Sequence, residues 1–277
     1  MSYFRPDDLE AALGYLAEGP AQVLAGGTDV YPALGDRPAP ERVLDLTRVA
    51  ALKGILRDGP TWRIGAGVTW ADVLRAGLPP MFDGLKVAAR QVGSVQIQTT
   101  ATLAGNICNA SPAADGVPVL LTLDASVEIA GPSGIRVVPL AGFITGPRRT
   151  TLAAGEIVTA ILVPAVEGQV WSGFEKLGAR AYLVISIASV AGLILWDGGK
   201  VAEARLAVGA CSPVPVRLPA LEAALVGLPA GALTGTVKDD HFAGLAPIDD
   251  VRATGAYRSS AVTTLVRRML DGCGTRI

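Results

Sequence analysis

The sequence predicts an α+β fold in two parts, and three observations support this. Strand and helix patterns alternate through the first 166 residues, whereas long strands followed by helices fill the remainder. A short polar break lies between the two patterns, at Val166 to Gln169. A chain of 277 residues, half of them hydrophobic, can form two buried cores. We therefore expect an N-terminal domain at 1–166, with subdomains at about 1–57 and 58–166, and a C-terminal domain at 170–277.

The N-terminal part is predicted to begin with an amphipathic helix and to continue with strands and helices. Leu9, Leu13 and Leu16 fall on one helical face, and Asp7 is placed to cap that helix. The later elements are apolar runs bounded by turn residues. The predicted strands are AQVLAG, ERVLDL, TWRIGAGVT and GEIVTAILVP, the helices are WADVLRAG and DGLKVAARQV, and SVEIAGPSGIRVVPL is a hairpin that turns at Pro132 to Gly134.

The C-terminal part is predicted to contain long strands and then helices. The run AYLVISIASVAGLILW is interrupted by serines and a glycine, which indicates a strand rather than a membrane helix. A second strand follows the turn DGGK, at Asp197 to Lys200. Two helices are then predicted, in LPALEAALVG and SAVTTLVRRML.

The composition argues against several classes of function. The net charge is −1 and the pI is about 5.9, and no basic patch occurs, so nucleic acid is not an expected partner. The longest apolar runs fall short of the roughly 20 residues that a membrane helix needs. The N-terminus lacks the basic and apolar segments of a signal peptide. The mean hydropathy of +0.42 is high, which predicts buried subunit interfaces.

The cysteines and the single histidine do not form a recognisable metal site. Cys108, Cys211 and Cys273 are far apart and none forms a CxxC pair, so no zinc or iron–sulfur site is expected within this chain. Their odd number, without an export signal, favours a cytoplasmic location. His241 has no evident partners for a metal site or a catalytic triad, so we expect an ordinary surface or helix-end position.

The first polar segment of interest is VLAGGTDV, which follows a predicted strand. Gly26 and Gly27 carry no side chain, so the backbone N–H groups can approach an anion, and Thr28 adds a hydroxyl group. The alternative interpretation is an ordinary tight turn before a helix, which has the same composition. The segment is not a Walker loop, because no Gly-Lys-Ser/Thr follows. The later Gly65-x-Gly67 lacks the third glycine of a dinucleotide fingerprint.

The second segment is TLAGNICNASPAAD, which shows no helical or strand period and is predicted to be a polar loop. Gly105 allows close backbone approach, and the amide of Asn106 offers donors and an acceptor. The carboxylate of Asp115 is suited to sugar or polyol hydroxyls. Two such loops would suit a ligand with a diphosphate and hydroxylated chains. The alternative is a pair of structural turns, with Asp115 capping the helix that follows.

These two segments resemble the FAD signatures of the flavin subunit in the molybdenum hydroxylase family, which includes xanthine dehydrogenase and carbon monoxide dehydrogenase. The resemblance extends over almost the whole chain, through LDLTRVAALKGI, WRIGAGVTWADV, FEKLGARAYLVIS and LAPIDDVRATGAYR. It implies a PCMH-type FAD-binding domain of two α/β subdomains and a C-terminal domain with a small antiparallel sheet and helices.

The resemblance also implies a role for each matching residue. The first pyrophosphate loop would comprise Ala25, Gly26, Gly27, Thr28 and Asp29, and the second would comprise Thr102, Ala104, Gly105, Asn106 and Asn109. Asp115 would bind polar parts of the cofactor, and Ile157 or Val158 would lie near the flavin ring.

Two further residues, in the C-terminal part, match positions near the ring in different relatives. Lys176 matches a lysine of xanthine dehydrogenase relatives, and Tyr182 matches a tyrosine of carbon monoxide dehydrogenase relatives. The alternatives are an exposed strand residue for Lys176 and a core aromatic for Tyr182. The chain departs from relatives at Ala104, where a second glycine is common, and at Val92, where some relatives stack an aromatic on adenine.

The function implied by the resemblance is electron transfer. Electrons from a molybdenum site would pass through two-iron two-sulfur clusters to FAD on this chain and on to an external acceptor. The molybdenum cofactor and the clusters would lie on a large subunit and a small iron–sulfur subunit, in a dimer of heterotrimers. Two alternatives remain: a self-contained FAD oxidoreductase with Tyr182 as its only candidate acid or base, and a non-catalytic subunit that bridges partners.

Overall fold

The structure, a computed structural model, describes residues 2–274, and these residues form four β-sheets and eleven α-helices. The strands are β1 (Ser2–Phe4), β2 (Gln22–Leu24), β3 (Arg42–Asp45), β4 (Ile55–Asp58), β5 (Thr61–Gly65), β6 (Ser126–Gly131), β7 (Gly134–Pro139), β8 (Ile144–Gly146), β9 (Arg149–Thr150), β10 (Ile157–Pro164), β11 (Gln169–Leu177), β12 (Ala188–Asp197), β13 (Lys200–Gly209) and β14 (Val216–Arg217). The helices are α1 (Leu9–Ala17), α2 (Val30–Leu34), α3 (Trp70–Arg75), α4 (Asp83–Gln91), α5 (Val95–Thr100), α6 (Leu103–Asn109), α7 (Gly116–Thr122), α8 (Leu140–Phe143), α9 (Pro219–Leu225), α10 (Leu233–Thr236) and α11 (Gly255–Gly274).

The first sheet has three parallel strands in the order β1-β3-β2, with helix α1 between β1 and β2 in the chain. The helix is capped by Asp8, whose Oδ1 accepts a hydrogen bond from the N–H of Ala11 at 2.8 Å. The prediction of Asp7 as the cap is therefore wrong by one residue, and Asp7 pairs instead with Arg48 at 2.8 Å. The helix buries Ala12 and Leu16.

The second sheet has five antiparallel strands in the order β4-β5-β10-β6-β7. Strand β10 lies at its centre, and its first five residues are buried. The strand ends at Pro164, as expected, because proline cannot continue the hydrogen-bonded ladder. The predicted hairpin is confirmed as β6 and β7, with Gly131 paired to Gly134. One hydrophobic core includes residues of both N-terminal sheets, among them Leu44 and Ile64.

The third sheet is antiparallel, in the order β11-β12-β13-β14, and is covered on both faces. Ala191 and Leu193 join the N-terminal core, whereas Val190 and Ile194 pack in a second core with α9 and α11. The predicted turn between β12 and β13 is confirmed, with Asp197 paired to Lys200. Burial of both faces explains why β12 is almost continuously apolar.

The expected strand over AYLVISIASVAGLILW is only partly correct. Strand β12 begins at Ala188, and residues 178–187 form a loop that leaves the end of β11. The loop is closed at its base by a hydrogen bond from the N–H of Ile187 to the carbonyl of Leu177, 2.8 Å long. The first paired residue of β12 is therefore Ala188, opposite Leu177 at the end of β11.

The expected division into domains stays a prediction. The first two sheets lie within residues 2–164 and the third begins at Gln169. Strand β4 pairs with β5 in the second sheet, so we propose that the N-terminal subdomains divide before Ile55 rather than at about residue 57. Residues 275–277 of the expected C-terminal domain lie outside the described residues. No helix in the described part of the chain is long and apolar enough to cross a membrane.

Candidate cofactor-binding site

A cavity of about 1100 Å³ lies among the loops of the N-terminal part of the chain. This volume exceeds the roughly 300–1,000 Å³ of ordinary small-ligand sites, which suits a molecule as large as a dinucleotide. All its lining residues lie between Gln22 and Val158. The predicted site residues that line it are Ala25, Gly26, Gly27, Thr28, Asp29, Thr102, Ala104, Gly105, Asn106, Asn109 and Val158.

The first glycine segment approaches the second through Gly26. A Cβ atom at Gly26 would lie 2.1 Å from the carbonyl oxygen of Thr100 and 2.9 Å from the Cα of Ala101. Only glycine permits this contact, because real Cβ atoms do not approach other heavy atoms so closely. Gly27 has a φ of +69°, a conformation that also favours glycine. Both glycines are therefore required by the geometry of the segment itself.

The second segment begins as a helix, so the prediction of an irregular loop over Thr102 to Asp115 is wrong for its first half. Leu103 and Ile107 are buried at positions i and i+4 of α6. The alanine, glycine and asparagine between them made this helical period difficult to recognise in the sequence. Thr102 caps the helix, because its Oγ1 accepts a hydrogen bond from the N–H of Gly105 at 2.9 Å.

The N-terminus of α6 lies beside the first glycine segment. The N–H groups of a helix N-terminus and a glycine loop together suit an anion such as a diphosphate. Asn106 is held by its side chain, whose Oδ1 accepts from the N–H of Gly116 at 3.3 Å. Ala104 lines the cavity although it is almost completely buried, so the methyl group at this position is accommodated.

A third segment, Ala66 to Trp70, completes the wall and was not predicted as part of the site. The N–H of Leu103 bonds to the carbonyl of Val68 at 3.0 Å, and the N–H of Trp70 bonds to the carbonyl of Ala101 at 3.2 Å. These bonds join the segment to Ala101 and Leu103, the residues on either side of the α6 cap Thr102. In the sequence, the Gly65-x-Gly67 pair could have indicated that this segment lines the site, although the pair is not a dinucleotide fingerprint.

Several ionisable side chains in the wall were also missed. Glu156 is paired with Arg136 through two hydrogen bonds of 2.7 and 2.6 Å, and this pairing holds the pKa of Glu156 below its ordinary value. Burial raises the pKa of Cys108 to about 12, so its thiol is protonated at neutral pH. Lys53 and Arg148 also line the cavity, and neither forms an ion pair within residues 2–274.

Asp115 and Lys176 do not line the cavity but meet beside it, in a buried cluster with Ser186. The Nζ of Lys176 lies 2.6 Å from Oδ2 of Asp115, and the hydroxyl of Ser186 donates to Oδ1 at 2.5 Å. The Asp115 and Lys176 side chains are only 7% and 6% exposed. The cluster joins the start of α7, the end of β11 and the loop 178–187.

This geometry decides between the alternatives raised by the sequence. Asp115 makes no side-chain capping hydrogen bond to α7, so the alternative of a helix cap is wrong. The alternative of an exposed strand residue is wrong for Lys176, because its side chain is buried. Tyr182 is 74% exposed on the loop 178–187, so it is not a core aromatic. Contact of these three residues with a cofactor stays a prediction.

Comparison with known proteins identifies the family. Residues 1–166 match the family model described as the FAD binding domain in molybdopterin dehydrogenase. Residues 174–272 match the CO dehydrogenase flavoprotein C-terminal domain. The chain is 32% identical over 276 residues to the xanthine dehydrogenase FAD-binding subunit of Escherichia coli, covering 98% of this chain and 94% of that protein.

Solved structures show the same fold over nearly the whole length. A chain of carbon monoxide dehydrogenase from Hydrogenophaga pseudoflava matches with a TM-score of 0.90 and 28% identity, over 97% of this chain and 95% of that one. A chain of reconstituted CO dehydrogenase from Oligotropha carboxidovorans matches with a TM-score of 0.94 and 25% identity, over 100% and 98%. The predicted fold is thus confirmed, and the chain belongs to the family of FAD-binding subunits of the molybdopterin dehydrogenases.

Proposed function

We propose that the cavity holds FAD and that the chain is the electron-transfer flavoprotein subunit of a molybdenum-dependent hydroxylase. The observation that carries this proposal is the contact of Gly26 with Thr100, which brings a glycine loop against the capped start of α6. The fit is supported by the volume of about 1100 Å³ and by the family to which the chain belongs.

Each segment of the wall has a distinct role in this proposal. The N–H groups of Gly26 to Thr28 would hold the diphosphate beside the start of α6, where the N–H groups of Gly105 and Asn106 already donate to Thr102. Asn109 would face a hydroxylated chain of the cofactor, and the apolar side chain of Val158 would face the flavin ring. When bound, FAD supplies the ability to accept electrons singly and to release them in pairs. The protein contributes binding, orientation and adjustment of the cofactor's potential.

The Asp115 cluster would support the ring end of the site from behind. Both carboxylate oxygens of Asp115 already accept from Lys176 and Ser186. A direct bond from Asp115 or Lys176 to the cofactor would therefore use their remaining hydrogen-bonding capacity or exchange one of these contacts. Tyr182 would approach the ring from the loop 178–187, where its side chain is exposed and not packed in the core.

The proposed partners are a small iron–sulfur subunit and a large molybdenum subunit, in a dimer of heterotrimers. Similar proteins include the carbon monoxide dehydrogenase medium chain of Hydrogenophaga pseudoflava, whose name places it within a larger enzyme. Exposed apolar side chains on the C-terminal part support partner contacts, among them Tyr182, Ile185 and Val251. The three cysteines are free thiols, which favours a cytoplasmic location.

Co-expression with the genes adjacent to this one tests the proposal. We expect an assembly that co-purifies and whose flavin is reduced when the substrate of the molybdenum subunit is added. The isolated chain should retain FAD but show no reduction with that substrate. Turnover of the isolated chain at the rate of the assembly would favour a self-contained oxidoreductase, and failure to bind added FAD would favour a bridging subunit.

A further inference from the structure

The charge of the cavity wall is not balanced at the end formed by residues 148–158. Arg148, Leu152, Glu156, Ile157 and Val158 all line the cavity in this short stretch of chain. The negative charge of Glu156 is neutralised by its two-bond pair with Arg136. Arg148 has no ion pair among the described residues, so this end of the cavity carries an uncompensated positive charge.

Arg148 is held at this position by the end of α6. It has a φ of +59°, and its N–H donates to the carbonyl of Ala110 at 2.8 Å, where Ala110 itself has a φ of +47°. Its guanidinium donates to the side-chain oxygen of Asn109 and, at 3.3 Å, to the Asn109 carbonyl. Residues other than glycine seldom adopt left-handed conformations, and those that do concentrate at functional sites. Two such residues therefore meet here and fix an arginine beside the cavity.

The distance along α6 shows which part of a dinucleotide Arg148 can face. The helix has seven residues, which at about 1.5 Å per residue makes it roughly 10 Å long. The glycine segments, where the diphosphate would lie, are at its N-terminus, whereas Arg148 contacts its C-terminal residue. Arg148 is thus placed too far along the helix to be a third diphosphate ligand.

We propose that Arg148 faces the flavin ring and raises the reduction potential of bound FAD. The inference rests on the proposed function, which places the ring at the Val158 end of the cavity. A reduced flavin carries more negative charge than an oxidised one, so a nearby cation favours the reduced form. At an effective dielectric constant of about 20, a unit charge roughly 10 Å away changes such an equilibrium by about tenfold.

The test compares the full-length chain with R148Q, R148K and R149Q, each loaded with FAD. Arg149 is the matched control, because it is an exposed arginine on the same hairpin but does not line the cavity. The dissociation constant of FAD is measured by fluorescence titration, and the midpoint potential by equilibration with redox dyes. We expect R148Q to favour the oxidised form by about tenfold, which is about 30 mV for a two-electron couple. R148K should keep most of the wild-type potential and R149Q all of it.

Salt provides a second readout, because Arg148 is exposed and its field is screened as ionic strength rises. The difference in potential between wild type and R148Q should shrink between low and high salt. An unchanged potential in FAD-loaded R148Q would overturn the inference and leave Arg148 as a structural contact of α6. Loss of FAD binding in R148Q, but not in the other variants, would also overturn it. If wild type itself bound no FAD, the proposed function would fail together with this inference.

Discussion

Replacing Gly26 by alanine tests whether the contact between the two glycine segments creates the binding site. The added Cβ would lie 2.1 Å from the carbonyl oxygen of Thr100, whereas real contacts are at least 3.0 Å long. The two segments must therefore separate by about 1 Å. Backbone on both sides of the contact would move, because the nearest atoms belong to the main chain rather than to a flexible side chain.

The expected loss follows from the hydrogen bonds that such a shift would break. A hydrogen bond to a charged group contributes about 1.5–3 kcal/mol, so loss of one N–H contact to the diphosphate weakens binding roughly ten- to 150-fold. The assay is titration of FAD into apoprotein, followed by quenching of flavin fluorescence. Melting temperatures recorded for the same samples separate lost affinity from lost folding.

Two other glycines provide controls for Gly26→Ala. Gly105→Ala should have a smaller effect, because its Cβ would meet one side-chain oxygen, that of Thr102 at 2.8 Å, rather than main-chain atoms. Gly14→Ala, on helix α1 with no atom within 4 Å of its Cβ, should stabilise the fold by about 0.5–1 kcal/mol and leave FAD affinity unchanged. The reasoning is refuted if Gly26→Ala binds FAD as tightly as wild type.

Three further predictions concern two ion pairs outside the cavity wall and one cysteine, Cys108, that lines it. Asp115→Ala should lower the free energy of unfolding, measured in urea, by about 3–5 kcal/mol, because it leaves Lys176 buried without its partner. Adding Lys176→Met should recover part of this loss. Equal stability of the single and double variants would contradict the pairing. FAD should be released into the supernatant by acid precipitation, because Cys108 is protonated, and flavin in the pellet would show a covalent bond. The N–H of Arg252 and the guanidinium of Arg258 lower the pKa of Asp250 from 3.8 to about 2, so its contribution to stability is present above pH 3.8 and is lost as the pH falls toward 2. Asp250→Asn should therefore lose less stability than wild type over that range, and identical acid unfolding curves would refute this.

Local patterns were sufficient to predict most strands and turns. The hairpin at Pro132 to Gly134, the end of β10 at Pro164 and the turn at Asp197 to Lys200 follow from residues close together in the chain. Helix α6 was not predicted because glycine, alanine and asparagine lie between its two apolar anchors, Leu103 and Ile107. The late start of β12 was not predicted either, because it depends on contacts of the loop 178–187.

The two glycine segments of the site were evident in the sequence, but the charged residues around them were not. Arg148 lines the cavity only because the β8–β9 hairpin contacts the end of α6, which is 39 residues earlier in the chain. The partners of Asp115 are 61 and 71 residues away, at Lys176 and Ser186. No local period indicates such contacts. The partner of a charged side chain can be identified only when the fold shows which elements lie next to each other.

Helix α7 links the cavity to the C-terminal part of the chain. All seven of its residues are buried, and Gly116 at its start is so close to Trp70 and Asn106 that a Cβ would lie 2.7 and 2.9 Å from their side chains. Asp115 fixes one end to β11, and Asp124 beyond the other end pairs with Arg205 and Arg217 of the third sheet, at 2.9 and 2.7 Å. The corner between α6 and α7 is therefore positioned by packing and ion pairs on both sides. Since α6 provides one wall of the cavity, the C-terminal sheet helps to fix the shape of a site to which it contributes no lining residue.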